Sequence, residues 1–215
     1  MHIKRKTIPN FWPVPKTGTK YLAVPNHEQG KALSVILITR NILEIVKTKK
    51  ELKKLLNEKK ISVNGKIINE VNYPVCLFDV ISFPTIKKHY RLMLKKRYTL
   101  APISEKEAET KIYKVIGKTM LPNKKIQINL SQGRNIISHE KINSGDFVEI
   151  HLLNNKIMKI IPLKKDVEIL VVAGKHIGKT GKIKDILVEG SGKVAVIKTK
   201  EGEVKANIDN IFATH

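Results

Sequence analysis

The chain has little with which to cross-link itself, cross a membrane or balance its own charge. Of 215 residues one is a cysteine. Cys76 alone excludes an internal disulfide framework and a cysteine-based zinc cluster. Within the apolar run Val75-Cys76-Leu77-Phe78 it reads as a small core residue. No stretch approaches the ~20 apolar residues of a membrane helix. The start, Met1-His2-Ile3-Lys4-Arg5-Lys6, leads into no apolar signal core. These absences predict an intracellular, cytoplasmic chain with no membrane partner. His89, His139 and His151 are too scattered to propose a metal site, and no cofactor is expected. Acidic groups are scarce: 19 Asp and Glu face 41 Lys and Arg, a net charge of +22. An excess this large repels itself. It suits a polyanionic partner, whose condensed counterions are released as basic groups approach its phosphates.

The charge is unevenly spread, and turn residues divide the chain into four parts. Residues 1–30 form a basic arm; residues 31–85 read as a small α/β domain. Residues 86–165 hold 18 basic against 6 acidic groups, the densest positive region; residues 166–215, with 8 against 7, are nearly neutral. In the arm, Pro9, Pro13, Pro15 and Pro25 disfavour helix and predict an extended course. Lys4, Arg5, Lys6, Lys16 and Lys20 alternate with Phe11, Trp12 and Tyr21. That mixture suits phosphate contact and base stacking; equally, Trp12 and Tyr21 could pin the arm to the protein's own surface.

Between residues 31 and 85 a helix is expected over Leu33 to Ile45, with Arg40 near its middle. Thr48-Lys49-Lys50-Glu51 is a capping-box pattern that opens a second helix to about Glu58. Leu52, Leu55 and Leu56 form its inner stripe, leaving Lys49, Lys50, Lys53 and Lys54 on the other faces, close to Lys47. Asn64-Gly65, flanked by β-branched residues and followed by Lys66, predicts a tight hairpin. A last strand is expected over Val75 to Phe83. Residues 86–165 read as mostly strand. Arg91–Lys95 and Arg97–Leu100 suggest a hairpin, Lys125–Leu130 and Phe147–Leu152 alternate like half-buried strands, and Ser104 with Glu107 predicts a helix to about Lys114. Lys87, Lys88, Arg91, Lys95, Lys96 and Arg97 are the densest positive run and are expected to meet phosphates.

Near the C-terminal end, Ala173 to Thr180 fits a relaxed nucleotide-binding loop, a reading that needs a following helix. Gly181-Lys182-Ile183-Lys184-Asp185-Ile186-Leu187-Val188 instead alternates as strand. Val167–Ala173, Gly181–Val188, Lys193–Thr199 and Glu203–Ile208 predict four short strands, with turns at Gly190-Ser191-Gly192 and Glu201-Gly202. That pattern predicts a small barrel. Gly174-Lys175-His176-Ile177-Gly178-Lys179-Thr180-Gly181-Lys182-Ile183 resembles a KOW motif of ribosomal and transcription proteins. Its glycines permit positive φ, and Lys175, Lys179 and Lys182 supply charge.

Residues 31–85 also resemble the S-four-type RNA-binding module. The likeness rests on Arg40-Asn41-x-Leu43, on Ile61-Ser62-Val63-Asn64-Gly65-Lys66 and on Asp79-Val80-Ile81-Ser82, with Phe78 where that family often has glycine. It implies that Arg40 and the basic second helix face RNA. The whole chain resembles the S-four-e family of small-ribosomal-subunit proteins, through His2-Ile3-Lys4-Arg5 with Trp12, Tyr73-Pro74-Val75, Gly133-Arg134-Asn135, Val172-Ala173-Gly174-Lys175-His176-Ile177-Gly178 and Asp209-Asn210-Ile211-Phe212. That likeness implies a multi-domain α+β protein: the S-four-type module, a mostly-β central domain and a C-terminal SH3-like KOW barrel. It implies a non-enzymatic ribosomal constituent, monomeric within its ribonucleoprotein, bound to small-subunit rRNA and neighbouring ribosomal proteins. Arg134 and the motif residues Gly174, His176 and Gly178 join the expected RNA contacts. The alternatives are an RNA-modifying enzyme, a transcription-associated RNA-binding factor and, last, an NTPase.

Overall fold

The computed structural model describes residues 2–122, 125–138, 140, 142–189, 192–199 and 201–214, with only the backbone of Glu189. His139, the Gly190-Ser191 part of the expected turn and the terminal His215 lie outside the described residues. The chain divides into two compact units, residues 1–111 and 112–215.

The first unit opens on a hairpin. β1 (His2–Lys4) pairs antiparallel with β2 (Tyr21–Ala23), so the prolines bend a loop between two strands and the arm is not fully extended. The arm is pinned by its own apolar residues: Trp12, Val14 and Leu22 are buried. Phe11 meets Tyr98 edge-on at 5.2 Å.

β3 (Leu33–Ser34) is followed by α1 (Val35–Leu37) and then by a π-helical turn over Ile38–Ile42, where the Leu43 amide bonds the Ile38 carbonyl at 3.0 Å. The helix expected over Leu33–Ile45 is therefore shorter, and wider in its second half. Val35 to Thr39 are all buried, so burial rather than propensity holds it. Glu44, at φ 54°, ends it. α2 (Lys49–Asn57) starts where expected. Thr48 accepts the Glu51 amide at 3.2 Å, while the Glu51 carboxylate reaches past the Thr48 amide to that of Lys47 at 2.8 Å.

β4 (Ser62–Val63) and β5 (Lys66–Ile67) form the predicted hairpin, with Asn64 at φ 51° and Gly65 at φ 76°. The strand expected over Val75–Phe83 is two strands. β6 (Pro74–Val75) pairs with β3, and β7 (Val80–Phe83) pairs with β4. The break is a turn in which Phe78 sits at φ 63°, a conformation glycine would adopt without strain. β8 (Lys88–Leu94) and β9 (Tyr98–Ile103) continue the same sheet, in the order β5-β4-β7-β8-β9. A division after residue 85 would cut this sheet between β7 and β8.

α3 (Glu105–Ala108) has the full capping box of Ser104 and Glu107 but ends far short of Lys114. From Thr110 the β-branched and aromatic residues Ile112, Tyr113, Val115 and Ile116 favour strand. They form β10 (Thr110–Met120), which leads into the second unit. There, β10 joins β11 (Ile126–Leu130), β12 (Asn135–Ser138), β13 (Phe147–His151) and β14 (Ile157–Ile161) in the order β12-β11-β10-β13-β14. Tyr113, Val115, Ile128, Leu130, Val148 and Ile150 form its core.

The last sheet holds β15 (Glu168–Val171), β16 (Thr180–Glu189), β17 (Gly192–Thr199), β18 (Gly202–Asn207) and β19 (Ile211–Ala213), ordered β18-β17-β16-β15-β19. β19, beyond the four strands that the sequence pattern predicts, completes the edge by pairing with β15. The protein is thus mostly β with a few short helices, less helical than an α+β expectation. Thr180 opens a ten-residue strand, which removes the helix a nucleotide-binding loop requires. No helix among the described residues is long and apolar enough to cross a membrane.

Candidate nucleic-acid interface

α2 is the most clearly two-faced element. At about 100° per residue, Lys49, Lys50, Lys53 and Lys54 fall within an arc of about 140°, and Leu52, Leu55 and Leu56 lie opposite. The structure agrees: Leu52 and Leu56 are fully buried, Leu55 is half-buried and all four lysines are exposed. Lys47 is exposed just before the helix, and Lys66 is exposed just after the hairpin turn. Arg40, half-buried, turns its Nε to the Asn41 side chain at 3.1 Å.

The β4–β5 hairpin turn is anchored by a buried polar hub. Asp79 is 4% exposed. Its carboxylate accepts the Asn64 side-chain amide at 2.7 Å, the Cys76 backbone amide at 2.6 Å and the ammonium of fully buried Lys111. Asn64 accepts the Val80 amide at 3.0 Å in return. The hub ties the hairpin turn to β7 and to the start of β10. Burial pushes the Cys76 thiol up to about 12, with the Asp79 charge adding to the shift. That thiol is inert near neutral pH.

The run from Lys87 to Arg97 does not stay together. Lys87 and Lys88 lie at one end of β8, and Lys95, Lys96 and Arg97 form the loop at the other, about 20 Å away at 3.3 Å per residue. Both groups are exposed. Arg91, between them, is a correction. It is 8% exposed, and its Nη2 donates to the Glu107 carbonyl at 2.6 Å and the Thr110 carbonyl at 3.1 Å.

Trp12 is a second correction. At 1% exposure it packs inside the first unit and presents no ring to a base. The interleaved aromatics mark both kinds of position, and spacing alone does not separate them. Arg5 is half-buried and engaged internally, donating to the carbonyls of Pro15 and Thr19 and to the Thr19 hydroxyl. Lys4, Lys6, Lys16 and Lys20 remain exposed. Arg134 is likewise engaged. Its guanidinium donates to the Tyr113 hydroxyl at 2.9 Å and the Leu152 carbonyl at 3.3 Å, and to the Asn155 side chain. Lys114, not singled out by the sequence, also turns inward to the Ile208 carbonyl, and burial lowers its pKa.

In the second unit residues 174–179 form a turn between β15 and β16, and Thr180 to Lys182 open β16. Gly174 at φ 93° and Gly178 at φ 81° supply the reversals. Gly181 serves a different purpose: a Cβ there would lie 2.4 Å from the Lys198 carbonyl oxygen, so its bare α-carbon lets β16 approach β17. Lys175 and Lys182 are exposed and His176 is half-buried. Lys179 pairs with Glu201 at 2.7 Å, Lys184 with Glu203 at 2.6 Å and Lys165 with Asp185 at 3.2 Å.

Comparison with known proteins relates both units of the chain to one family of ribosomal proteins. Residues 41–81 match the S4 domain, and residues 86–157 match the ribosomal family S4e. The chain is 31% identical to the small ribosomal subunit protein eS4 of Methanocella arvoryzae, over 98% of this chain and 92% of that one. It is 32% identical to the eS4 protein of Methanothermobacter thermautotrophicus, over 94% and 86% of the two chains. The crystal structure of the 30S ribosomal protein S4e from Thermoplasma acidophilum superposes with a TM-score of 0.72, at 26% identity, covering 85% of this chain and 94% of that one.

Proposed function

The chain belongs to the ribosomal S4e (eS4) family of small-ribosomal-subunit proteins, and on that premise we propose that it binds small-subunit rRNA chiefly through the lysine face of α2 and the adjoining hairpin. It is a structural, non-enzymatic constituent of the ribosome, working in the cytoplasm. The observation that carries the reading is α2 itself: four exposed lysines on one arc, over leucines held in the core, within the residues that match the S4 domain. Arg40, Lys47 and Lys66 flank that face. Lys87, Lys88, Lys95, Lys96 and Arg97 provide two further phosphate contacts on the same sheet, too far apart to serve one phosphate. Neighbouring ribosomal proteins complete its surroundings, with the protein present as a single copy.

The C-terminal sheet is read as an SH3-like barrel bearing a KOW motif, with Gly174, Lys175, His176, Gly178, Lys179 and Lys182 at its RNA-facing turn. The positive φ of both glycines supports this. The arm, the S-four-type module, the central β domain and this barrel are accordingly the functional parts. The test is binding of the purified protein to small-subunit rRNA across a salt series, together with co-sedimentation with small subunits. A steep fall in affinity with salt is expected. Salt-insensitive binding, or none, would overturn the reading.

A further inference from the structure

We propose that the outer face of the β1–β2 hairpin is a stacking site for an unpaired RNA base, with Tyr21 as the platform and Lys4 and Lys20 holding the flanking phosphates. This rests on the rRNA-binding reading above and names a second, chemically different contact.

The register defines the face. His2 pairs with Ala23, Ile3 with Leu22 and Lys4 with Tyr21. Cross-strand partners share a face, and successive residues alternate. Leu22 is 3% exposed and Ile3 half-buried, so that pair points inward. His2, Lys4, Tyr21 and Ala23 therefore point outward together. Tyr21 is 44% exposed, a large aromatic surface left in water. The His2 ring meets it edge-on at 4.5 Å, and the Lys20 ammonium lies 5.4 Å from its ring centre.

The platform is stiff. The Arg5 amide bonds the Lys20 carbonyl at 2.9 Å, and its guanidinium clasps Pro15 and Thr19 across the loop. Gly18 makes room for that clasp: at φ 128°, a Cβ there would lie 2.9 Å from Arg5 Nη2. Residues 2–27 contain no carboxylate, so the hairpin itself carries only cationic or neutral side chains and suits an anionic partner. An exposed cation–π contact is weak and readily exchanged. A base that takes the Tyr21 ring releases the Lys20 ammonium to its own phosphate, so one nucleotide satisfies both groups. Every base has a π-face, so the site is tolerant of sequence.

The experiment uses the full chain and purified small-subunit rRNA. Affinity is measured at several salt concentrations for the wild type, Tyr21→Phe, Tyr21→Ala and a variant with Lys49, Lys50, Lys53 and Lys54 all changed to Gln. Emission from Trp12, the one tryptophan and fully buried, checks that each variant is folded. Ultraviolet cross-linking of the wild type then locates the contacted peptides. Tyr21→Ala is expected to weaken binding about tenfold, as loss of one stacked base does. Its salt dependence should be unchanged, because no charge is removed. Tyr21→Phe should restore affinity, and a base should cross-link to the peptide holding Tyr21. Wild-type affinity in Tyr21→Ala, with no cross-link at that peptide, overturns this inference. If the α2 variant loses binding in the same experiment, the rRNA reading stands without it. If neither variant loses affinity, the rRNA reading itself has failed.

Discussion

The lysine face of α2 and the basic Gly174–Lys182 segment, a turn running into β16, use the same residue types for opposite balances of charge. On α2 the acidic neighbours Glu51 and Glu58 lie to one side of the lysine arc. Glu51 is occupied by the helix start, and Glu58 pairs with Lys60 at 2.6 Å. Around the C-terminal turn, strands brought together by the sheet place Glu201 on Lys179 and Glu203 on Lys184. These exposed pairs add little to stability, but they reduce the field that a phosphate would feel. The difference teaches that a basic motif attracts RNA in proportion to the charge its neighbours leave over.

The largest effect should come from the inward lysine of the Asp79 hub, which anchors the β4–β5 hairpin turn. Lys111→Ala leaves Asp79 buried without its cation and should cost about 3–5 kcal/mol in denaturant unfolding. Pairing it with Asp79→Asn should recover part of that loss. If Lys111→Ala is silent, the hub does not hold the hairpin. Next, changing the four α2 lysines to Gln should weaken rRNA binding about a hundredfold and lower the slope of log affinity against log salt by about 3. Equal losses from α2 and from the C-terminal turn would break the comparison. Gly181→Ala should destabilise by about 1–3 kcal/mol, because the new methyl meets strand backbone; thermal unfolding measures it. Lys175→Ala with Lys179→Ala should reduce affinity only about two- to fivefold, since Lys179 is already paired.

The last effect is confined to alkaline pH. The unfolded chain gives up the Cys76 proton from about pH 8.5, the folded chain only near 12. Between those values the unfolded state binds fewer protons, so stability should fall as pH rises, by up to about 1.4 kcal/mol per pH unit from this group. Burial also raises the Tyr98 pKa, which steepens the fall at the upper end. Cys76→Ala should flatten the slope in pH-dependent denaturant titrations.

Local chemistry was legible wherever it is decided by near neighbours. Thr48 and Ser104 start helices, Asn64-Gly65 turns a hairpin, and β16 follows Thr180, because each depends on a few residues' φ/ψ and caps. The α2 face was legible because its period is local. The end of the helix after Ser104 and the strand β19 are not legible in the sequence, because their states depend on partner strands distant in sequence. Phe78 was visible as a departure from glycine, but its positive φ was not.

The amino-acid order by itself determined the polyanion preference, the absence of a disulfide framework and the elements that propagate through neighbouring residues. Tertiary structure alone decided which cations face water. Arg91, Lys111, Lys114 and Arg134 belong to the most basic stretch of the chain, yet their charges serve carbonyls, a carboxylate and a hydroxyl inside the fold. Likewise Trp12 went into the core and Tyr21 to the surface. The reason is physical: composition counts charges and rings, while burial is set by register and by long-range pairing, and a buried charge persists only where the fold supplies its partner.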